Sequence, residues 1–299
     1  MGKMIFPMAI QAIGAITNII LDPIMIFGLF GIPAMGVKGA AIATVIGQIF
    51  AMSLSLFIFL TREFDVKLDW NQFQFSWTAI RRILSIGIPN ASMNALGSVL
   101  VMGLNSILIQ FSNTAVSVYG IYYKLQTFVF MPASGLTQGA MPIMGYNYGA
   151  GNHERLLQTL KYAVIVTVAI MSCGCAVFLL FPTQLLLLFQ AGEDMLQIGV
   201  PALRIISISF LPASLGFILP TLFQAMGLGF HSLIVFLLRQ LCITLPLSWL
   251  FASLFGLGGI WFSFVIAEGI AAGAAVLLYL RIRKRDKILS KSYSQAMAA

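Results

Sequence analysis

A carboxylate stands inside an otherwise apolar run near the start of the chain. Asp22 belongs to the segment Thr-Asn-Ile-Ile-Leu-Asp-Pro at residues 17–23. An acid near the centre of a bilayer costs on the order of 3 kcal/mol, so such residues tend to face a protein interior or a water-filled cavity. Asn18 lies four residues earlier, on the same helical face. Pro23 cannot donate a hydrogen bond to the Ile19 carbonyl, which leaves another oxygen available to an ion or water.

Together these groups indicate a site for a proton or a small cation, with Asp22 and Asn18 as the cation-coupling residues. Burial disfavours the charged form of a carboxylate, whereas a bound sodium ion favours it, so Asp22 could exchange one ion for the other. A structural interpretation is also open, in which Asp22 is a buried acid held by hydrogen bonds.

Four more ionisable side chains fall within apolar stretches: Lys124, Arg204, Arg239 and Glu268. Lys124, two residues before Gln126, either packs its stem along neighbouring helices or faces a cavity and pairs with an acid. Arg204 and Arg239 lie about two turns from predicted helix ends, which favours snorkelling or helix-end capping. Glu268 is either a polar packing residue or a proton site.

A substrate cavity is a further hypothesis for the middle of the chain. Phe128 and Met131 lie close to Lys124, and such side chains suit a cavity that accepts many shapes, because Met adapts and aromatic rings attract organic cations. Asn94 either joins helices or lines this cavity. The candidate cavity residues are Lys124, Gln126, Phe128, Met131, Asn94 and Glu268.

The composition requires a membrane protein. Of 299 residues, 60% are hydrophobic and only 9% are charged, and the mean hydropathy is +0.97. The formal net charge of +8 comes from residues between and after the apolar runs, which argues against nucleic-acid binding. Three cysteines fall within apolar runs and have no neighbours at metal-ligand spacing, so we expect neither a metal site nor a cofactor.

About eight transmembrane helices fit the chain, since each crossing needs about 20 apolar residues. They cover approximately residues 8–30, 38–60, 83–111, 115–145, 159–181, 197–226, 232–253 and 259–281. With the first residues inside, every Lys and Arg of the loops except Lys38 lies on the inner side. This asymmetry predicts that both termini are cytoplasmic.

A weak internal repeat relates the two ends of the chain. Residues 39–48 align with residues 259–268, which places Gln48 opposite Glu268, while Asp22 aligns with Leu245. A helix with an internal Pro, a short outer loop and a Gly-opened helix is typical of a duplicated transporter half.

Two motifs carry a resemblance to a known family. Pro142, Gly145, Asn147, Gly149, Ala150 and Asn152 match a loop pattern Pro-x-x-Gly-x-Asn-x-Gly-Ala-x-Asn. With the Asn18, Asp22 and Pro23 pattern, this loop resembles the multidrug and toxic compound extrusion (MATE) family. The second pattern looks like the fifth helix of that family, whose Asn and Asp are linked to cation coupling.

The resemblance implies an all-α membrane protein from which the first four of twelve helices are missing. The expected parts are the last two helices of an N-terminal lobe (1–60), a cytoplasmic linker (61–82), a complete six-helix C-terminal lobe (83–287) and a cytoplasmic tail (288–299). One branch of the family has an acid after the Gly-x-Pro of the third span, where this chain has Asn90 and Asn94. This departure argues against coupling acids in the second lobe.

The implied function is a secondary antiporter in the cell membrane that exports organic, often cationic, compounds in exchange for H⁺ or Na⁺. Its expected partners are membrane lipids and small organic substrates, and the full-length protein is expected to be a monomer. A flippase for lipid-linked precursors and an inactive transporter fragment stay open as alternatives. An intramembrane serine protease is disfavoured, because both histidines, His153 and His231, fall at predicted loops.

Overall fold

The computed structural model describes residues 5–31, 33–61 and 76–285, and these residues are helical apart from short connections. The chain divides into two compact units, Met1–Phe75 and Ser76–Ala299. The predicted linker at 61–82 and the predicted tail lie largely outside the described residues, so the predicted domain boundaries stay a prediction.

The first unit is a hairpin of two helices, α1 (Ile5–Phe27) and α2 (Val37–Thr61), with a short 3-10 turn at Leu29–Gly31. Backbone hydrogen bonds close the connection, because the N–H of Met35 donates to the Met25 carbonyl at 3.0 Å. The turn uses left-handed backbone at Phe30, where φ is 56°.

Small residues let α1 and α2 approach closely. Gly39, Ala43 and Gly47 recur at every fourth position of α2, and all three are buried. A Cβ atom on Gly39 would overlap the Met25 carbonyl, and one on Gly47 would lie 3.1 Å from the Gly14 carbonyl oxygen. Small residues at this spacing are typical of closely packed membrane helices.

The second unit contains the remaining helices of the described chain. They are α3 (Trp77–Leu108), α4 (Asn113–Gly149), α5 (His153–Leu180), α6 (Pro182–Leu187), α7 (Glu193–Ser207), α8 (Phe210–Ala225), α9 (Gly229–Leu237), a π-helical segment (Leu238–Thr244) and α10 (Leu245–Arg285).

The Pro-to-Asn motif of the sequence builds the connection between α4 and α5. Asn147 donates from its side chain to the Ile143 carbonyl at 2.8 Å, and the N–H of Asn152 donates to the Asn147 carbonyl at 2.9 Å. The Asn152 side chain then caps α5 by accepting from the N–H of Arg155 at 3.1 Å. Gly151 supplies the left-handed residue of the turn, with φ of 69°.

Several of these helices are broken. The axes of α7 and α8 differ by 49° at a break of two residues, although the sequence predicts one span at 197–226. The π-helical segment follows α9, and Gly256 interrupts α10 with φ of 65°. Pro201, Pro220 and Pro23 lie inside helices, so proline alone does not decide where a helix breaks.

The helices confirm an all-α membrane protein. All eight predicted spans fall on helices, and five stretches of the described chain are long and apolar enough to cross a membrane, or six if α7 and α8 form one bent crossing. The last stretch, Gly229–Arg285, has 57 residues, more than twice what one crossing needs. The helix α4 is not among them. The chain is a multi-pass membrane protein.

The core of the second unit is rich in aromatic side chains. Tyr122, Phe178 and Phe210 are almost fully buried. The rings of Tyr122 and Phe264 meet edge to face with centroids 6.0 Å apart, and Phe130 meets Phe210 in the same way at 5.3 Å. This packing joins α4, α5, α8 and α10, and Tyr122, Phe130 and Phe264 also line the cavity described below.

Candidate functional site

Asp22 and Asn18 lie side by side on α1 and face Thr44 of α2. With the Asn18 amide oriented to satisfy both of its polar atoms, its nitrogen donates to Asp22 Oδ2 at 2.9 Å. Its oxygen then lies 3.2 Å from the Thr44 nitrogen and 3.1 Å from the Thr44 hydroxyl. The other oxygen of the acid, Asp22 Oδ1, is buried and has no hydrogen-bond partner among the described residues.

The opposite orientation of the Asn18 amide is disfavoured. Its oxygen would face Asp22 Oδ2, and its nitrogen would face the Thr44 backbone N–H, which is also a donor. Facing acceptors and facing donors repel each other, so the cluster has one satisfactory arrangement, in which the Asn18 amide donates to Asp22.

Sequence reasoning missed Thr44. Its own hydroxyl donates to the Ala40 carbonyl at 2.9 Å, and it lies beside the buried small residues Ala43 and Gly47. The four-residue spacing of those small residues is the signal that could have found it, because that spacing marks the face of α2 that packs on α1.

A cavity of about 170 Å³ lies within the second unit, between α3, α4, α8, α9, the π-helical segment and α10. Its polar lining consists of Tyr119, Tyr122, Tyr123, Gln126, Arg239, Gln240, Thr244 and Glu268. Its aromatic walls are Phe130, Phe217, Phe236 and Phe264.

A buried ion pair dominates this cavity. Arg239 Nε donates to Glu268 Oε1 at 2.6 Å, and each residue is only 9% exposed. The guanidinium also lies over the Phe217 ring, 4.9 Å from its centroid. The predicted snorkelling of Arg239 is therefore wrong. The π-helical segment turns this side chain toward α10, and a count of residues to the helix end does not reveal that direction.

The predicted cavity residues divide into two groups. Gln126 and Glu268 line the cavity, and Gln126 and Met131 line a neighbouring cavity of about 190 Å³. Phe128 and Lys124 lie exposed on the surface of this unit, and no described acid of the unit lies within ion-pairing distance of Lys124. Asn94 lies on α3, and its side chain is not among those described.

Comparison with known proteins gives consistent similarities. The sequence model of the MatE family matches residues 89–250. The multidrug export protein MepA of Staphylococcus aureus strain MSSA476 is 32% identical over 270 residues, covering 90% of this chain and 58% of that protein. MepA of Staphylococcus haemolyticus is 30% identical over 285 residues, covering 95% and 62%. The chain thus spans about three fifths of the length of these relatives.

Solved transporter structures share the fold. The outward-facing conformation of a multidrug resistance MATE family transporter of the MOP superfamily matches with a TM-score of 0.86 and 26% identity, covering 94% of this chain and 63% of that one. A MOP superfamily transporter from Pyrococcus furiosus, described as having a binding pocket of reverse polarity, matches with a TM-score of 0.84 and 27% identity, covering 92% and 62%.

Proposed function

Because the chain belongs to the MATE family of membrane transporters, we propose that its protein is a secondary antiporter that exports organic, often cationic, compounds in exchange for H⁺ or Na⁺. The similar MepA proteins are multidrug export proteins, which supports the substrate class. The proposed location is the cell membrane with both termini in the cytoplasm, and the proposed working form is a monomer without a cofactor.

The observation that carries the coupling proposal is the Asn18, Asp22 and Thr44 cluster. Asn18 satisfies Asp22 Oδ2, whereas Asp22 Oδ1 is buried without a hydrogen-bond partner among the described residues and offers an open position for a proton or a small cation. An antiporter needs such a group, because its charge must change or be compensated once in each cycle.

Sodium ions fit the same cluster through its oxygens. Asp22 Oδ1 has no partner among the described residues, and the Asn18 oxygen and the Thr44 hydroxyl, 3.1 Å apart, are neutral oxygen ligands in the same cluster. Hard cations prefer carboxylate, carbonyl and water oxygens. A proton and a sodium ion would compete for one carboxylate, which makes the cluster a single exchange site.

On the substrate side, the second unit offers an adaptable surface. Tyr123, Gln126, Phe130 and Met131 line the neighbouring cavity together with two small polar residues. Aromatic faces attract organic cations, and Met fits many shapes. We propose that Lys124 and Phe128, which are exposed on the same helix, border this surface. The flippase alternative has less support, because Arg239 in the cavity of about 170 Å³ is neutralised by Glu268.

The decisive experiment measures efflux of tetraphenylphosphonium from proteoliposomes under an imposed proton or sodium gradient. The substitution Asp22→Asn keeps the volume and a hydrogen-bonding group but removes the exchangeable charge, so we expect gradient-driven efflux to fall by about tenfold or more. Asp194→Asn is the matched control, because Asp194 is an exposed acid in the first turn of α7.

Rates are normalised to the amount of monodisperse protein in each preparation. Gradient-driven efflux by Asp22→Asn at the wild-type rate would remove Asp22 from the mechanism. If the wild-type full-length protein transports no organic cation under either gradient, the proposed function itself is contradicted.

A further inference from the structure

The buried ion pair of the second unit leaves several polar atoms unsatisfied. Glu268 Oε2 is buried and has no hydrogen-bond partner among the described residues, and the same holds for the Tyr122 hydroxyl. Arg239 uses its Nε–H on Glu268, and no acceptor in the described part of the chain is within hydrogen-bond distance of its terminal nitrogens. A guanidinium carries five N–H donors in a rigid fork. The Arg239 guanidinium therefore presents unused N–H donors to the cavity, and Glu268 contacts it through one carboxylate oxygen.

Gly216 of α8 leaves space beside Glu268 Oε2, the unpaired carboxylate oxygen. A Cβ atom on Gly216 of α8 would lie 3.8 Å from Glu268 Oε2, which is ordinary contact distance. Glycine at this position contributes no hydrogen-bonding side chain, so the ionised form of Glu268 receives no help from α8. A proton on Oε2 removes the charge of the acid, and an unpaired neutral group costs less when buried than an unpaired charged one.

The charges that face Glu268 are few. Arg239 is the charged group next to it, and the phenols of Tyr119, Tyr122 and Tyr123 are the other titratable groups in the cavity lining. From the remaining elements around the cavity, the lining consists of uncharged residues: Gly97 and Leu100 of α3, Phe217 of α8 and Phe236 of α9. When Glu268 takes a proton, Arg239 is left with a buried charge that no other described residue of the cavity lining compensates, which is costly unless an anion arrives.

We propose that this cavity is a binding site for a small aromatic carboxylate, which enters together with one proton. The proton goes to Glu268, and the carboxylate of the ligand takes the place of Glu268 at the Arg239 guanidinium. Arg binds a carboxylate in a bidentate manner through the fork that is idle here. The four Phe walls and the volume of about 170 Å³ suit a ligand with a single ring.

This site is separate from the cation cluster of the first unit, and it goes beyond the proposed antiport. Its occupant has the opposite charge to an organic cation. Net charge in the cavity is conserved on binding, because one proton and one anion enter together.

Radiolabelled benzoate is the probe, and equilibrium dialysis of the purified full chain in detergent measures its binding. Benzoate stays ionised between about pH 6 and about pH 8, so a change in affinity over this range reports on the protein. Because benzoate enters with one proton, its affinity should fall by about tenfold for each unit by which the pH exceeds the value at which Glu268 loses its proton in the free protein. Affinity that is equal across this range, or no benzoate binding at all, overturns the proposal.

The substitution Glu268→Gln gives the sharpest test. It mimics the protonated acid, so benzoate should bind at about pH 8 at least as tightly as it binds the wild type at about pH 6, and the pH dependence should disappear. The double variant Arg239→Gln/Glu268→Gln leaves no buried charge unpaired and should lose binding at every pH. Benzoate binding that survives this double substitution overturns the proposal.

Gly216 offers a second route that leaves the ion pair intact. In Gly216→Ser, the added hydroxyl can donate to Glu268 Oε2, which stabilises the ionised acid and should weaken benzoate binding at about pH 6 by roughly fivefold. Gly216→Ala adds the same Cβ without a donor and is the matched control. Equal binding by the Ser and Ala variants contradicts the role given to Oε2, even if Glu268→Gln fails to fold.

Discussion

At the scale of residues, Thr44 adds a hydroxyl and Asn18 adds an amide to a cluster in which Asp22 is the charged residue. Removing the Thr44 hydroxyl with Thr44→Val should cost about 1 kcal/mol of cation binding, or about fivefold in the sodium or proton concentration that gives half-maximal efflux. Asn18→Ala should have a similar effect, and both effects should be milder than that of Asp22→Asn. Half-maximal concentrations from proteoliposome efflux are the measurement.

Thr17→Val is the control at this scale. The Thr17 hydroxyl donates to the Ile13 carbonyl of its own helix at 2.8 Å and takes no part in the cluster. The same half-maximal concentration for Thr44→Val and Thr17→Val would show that Thr44 is not a ligand.

At the scale of elements, the pairing of α1 and α2 rests on glycine rather than on large apolar side chains. A methyl group on Gly39 overlaps the Met25 carbonyl, so Gly39→Ala should force the two helices apart and destabilise the protein by about 1–3 kcal/mol. Gly120→Ala on α4 meets no atom within 4 Å and should be neutral or stabilising by up to about 1 kcal/mol.

Denaturation of both variants in detergent, followed by tryptophan fluorescence and by size-exclusion elution, measures the difference. If Gly39→Ala is as stable as Gly120→Ala, the hairpin tolerates wider spacing, and close approach does not position Thr44 beside Asn18.

At the scale of the whole molecule, the distribution of Lys and Arg predicts which ends of the helices face the cytoplasm. Glu154 lies beside Arg155 at the start of α5 and should be inside, whereas Glu193 at the start of α7 should be outside. In a background without the native cysteines at 173, 175 and 242, Glu193→Cys should react with an impermeant maleimide on intact cells. Glu154→Cys should react only after permeabilisation, and the reverse pattern would invert the topology.

The sequence alone determined the features that depend on one helix or one turn. Apolar runs predicted the all-α membrane fold, because a lipid environment forces each segment to satisfy its own backbone hydrogen bonds. The four-residue spacing of Asn18 and Asp22 placed them on one face, since both belong to α1. The Pro-to-Asn motif likewise contains most of the hydrogen bonds of its own turn.

Only the tertiary structure decided which helices meet at a polar site. Thr44 lies 26 residues from Asn18, and Arg239 lies 29 residues from Glu268, so each contact depends on how two helices are rotated against each other. That rotation is set by close-packed glycines in the first unit and by a π-helical segment in the second. A π-helical turn shifts every later side chain to another face, and periodicity in the sequence does not record this shift. Burial then placed Arg239 in a cavity lining with Glu268 rather than at a helix end.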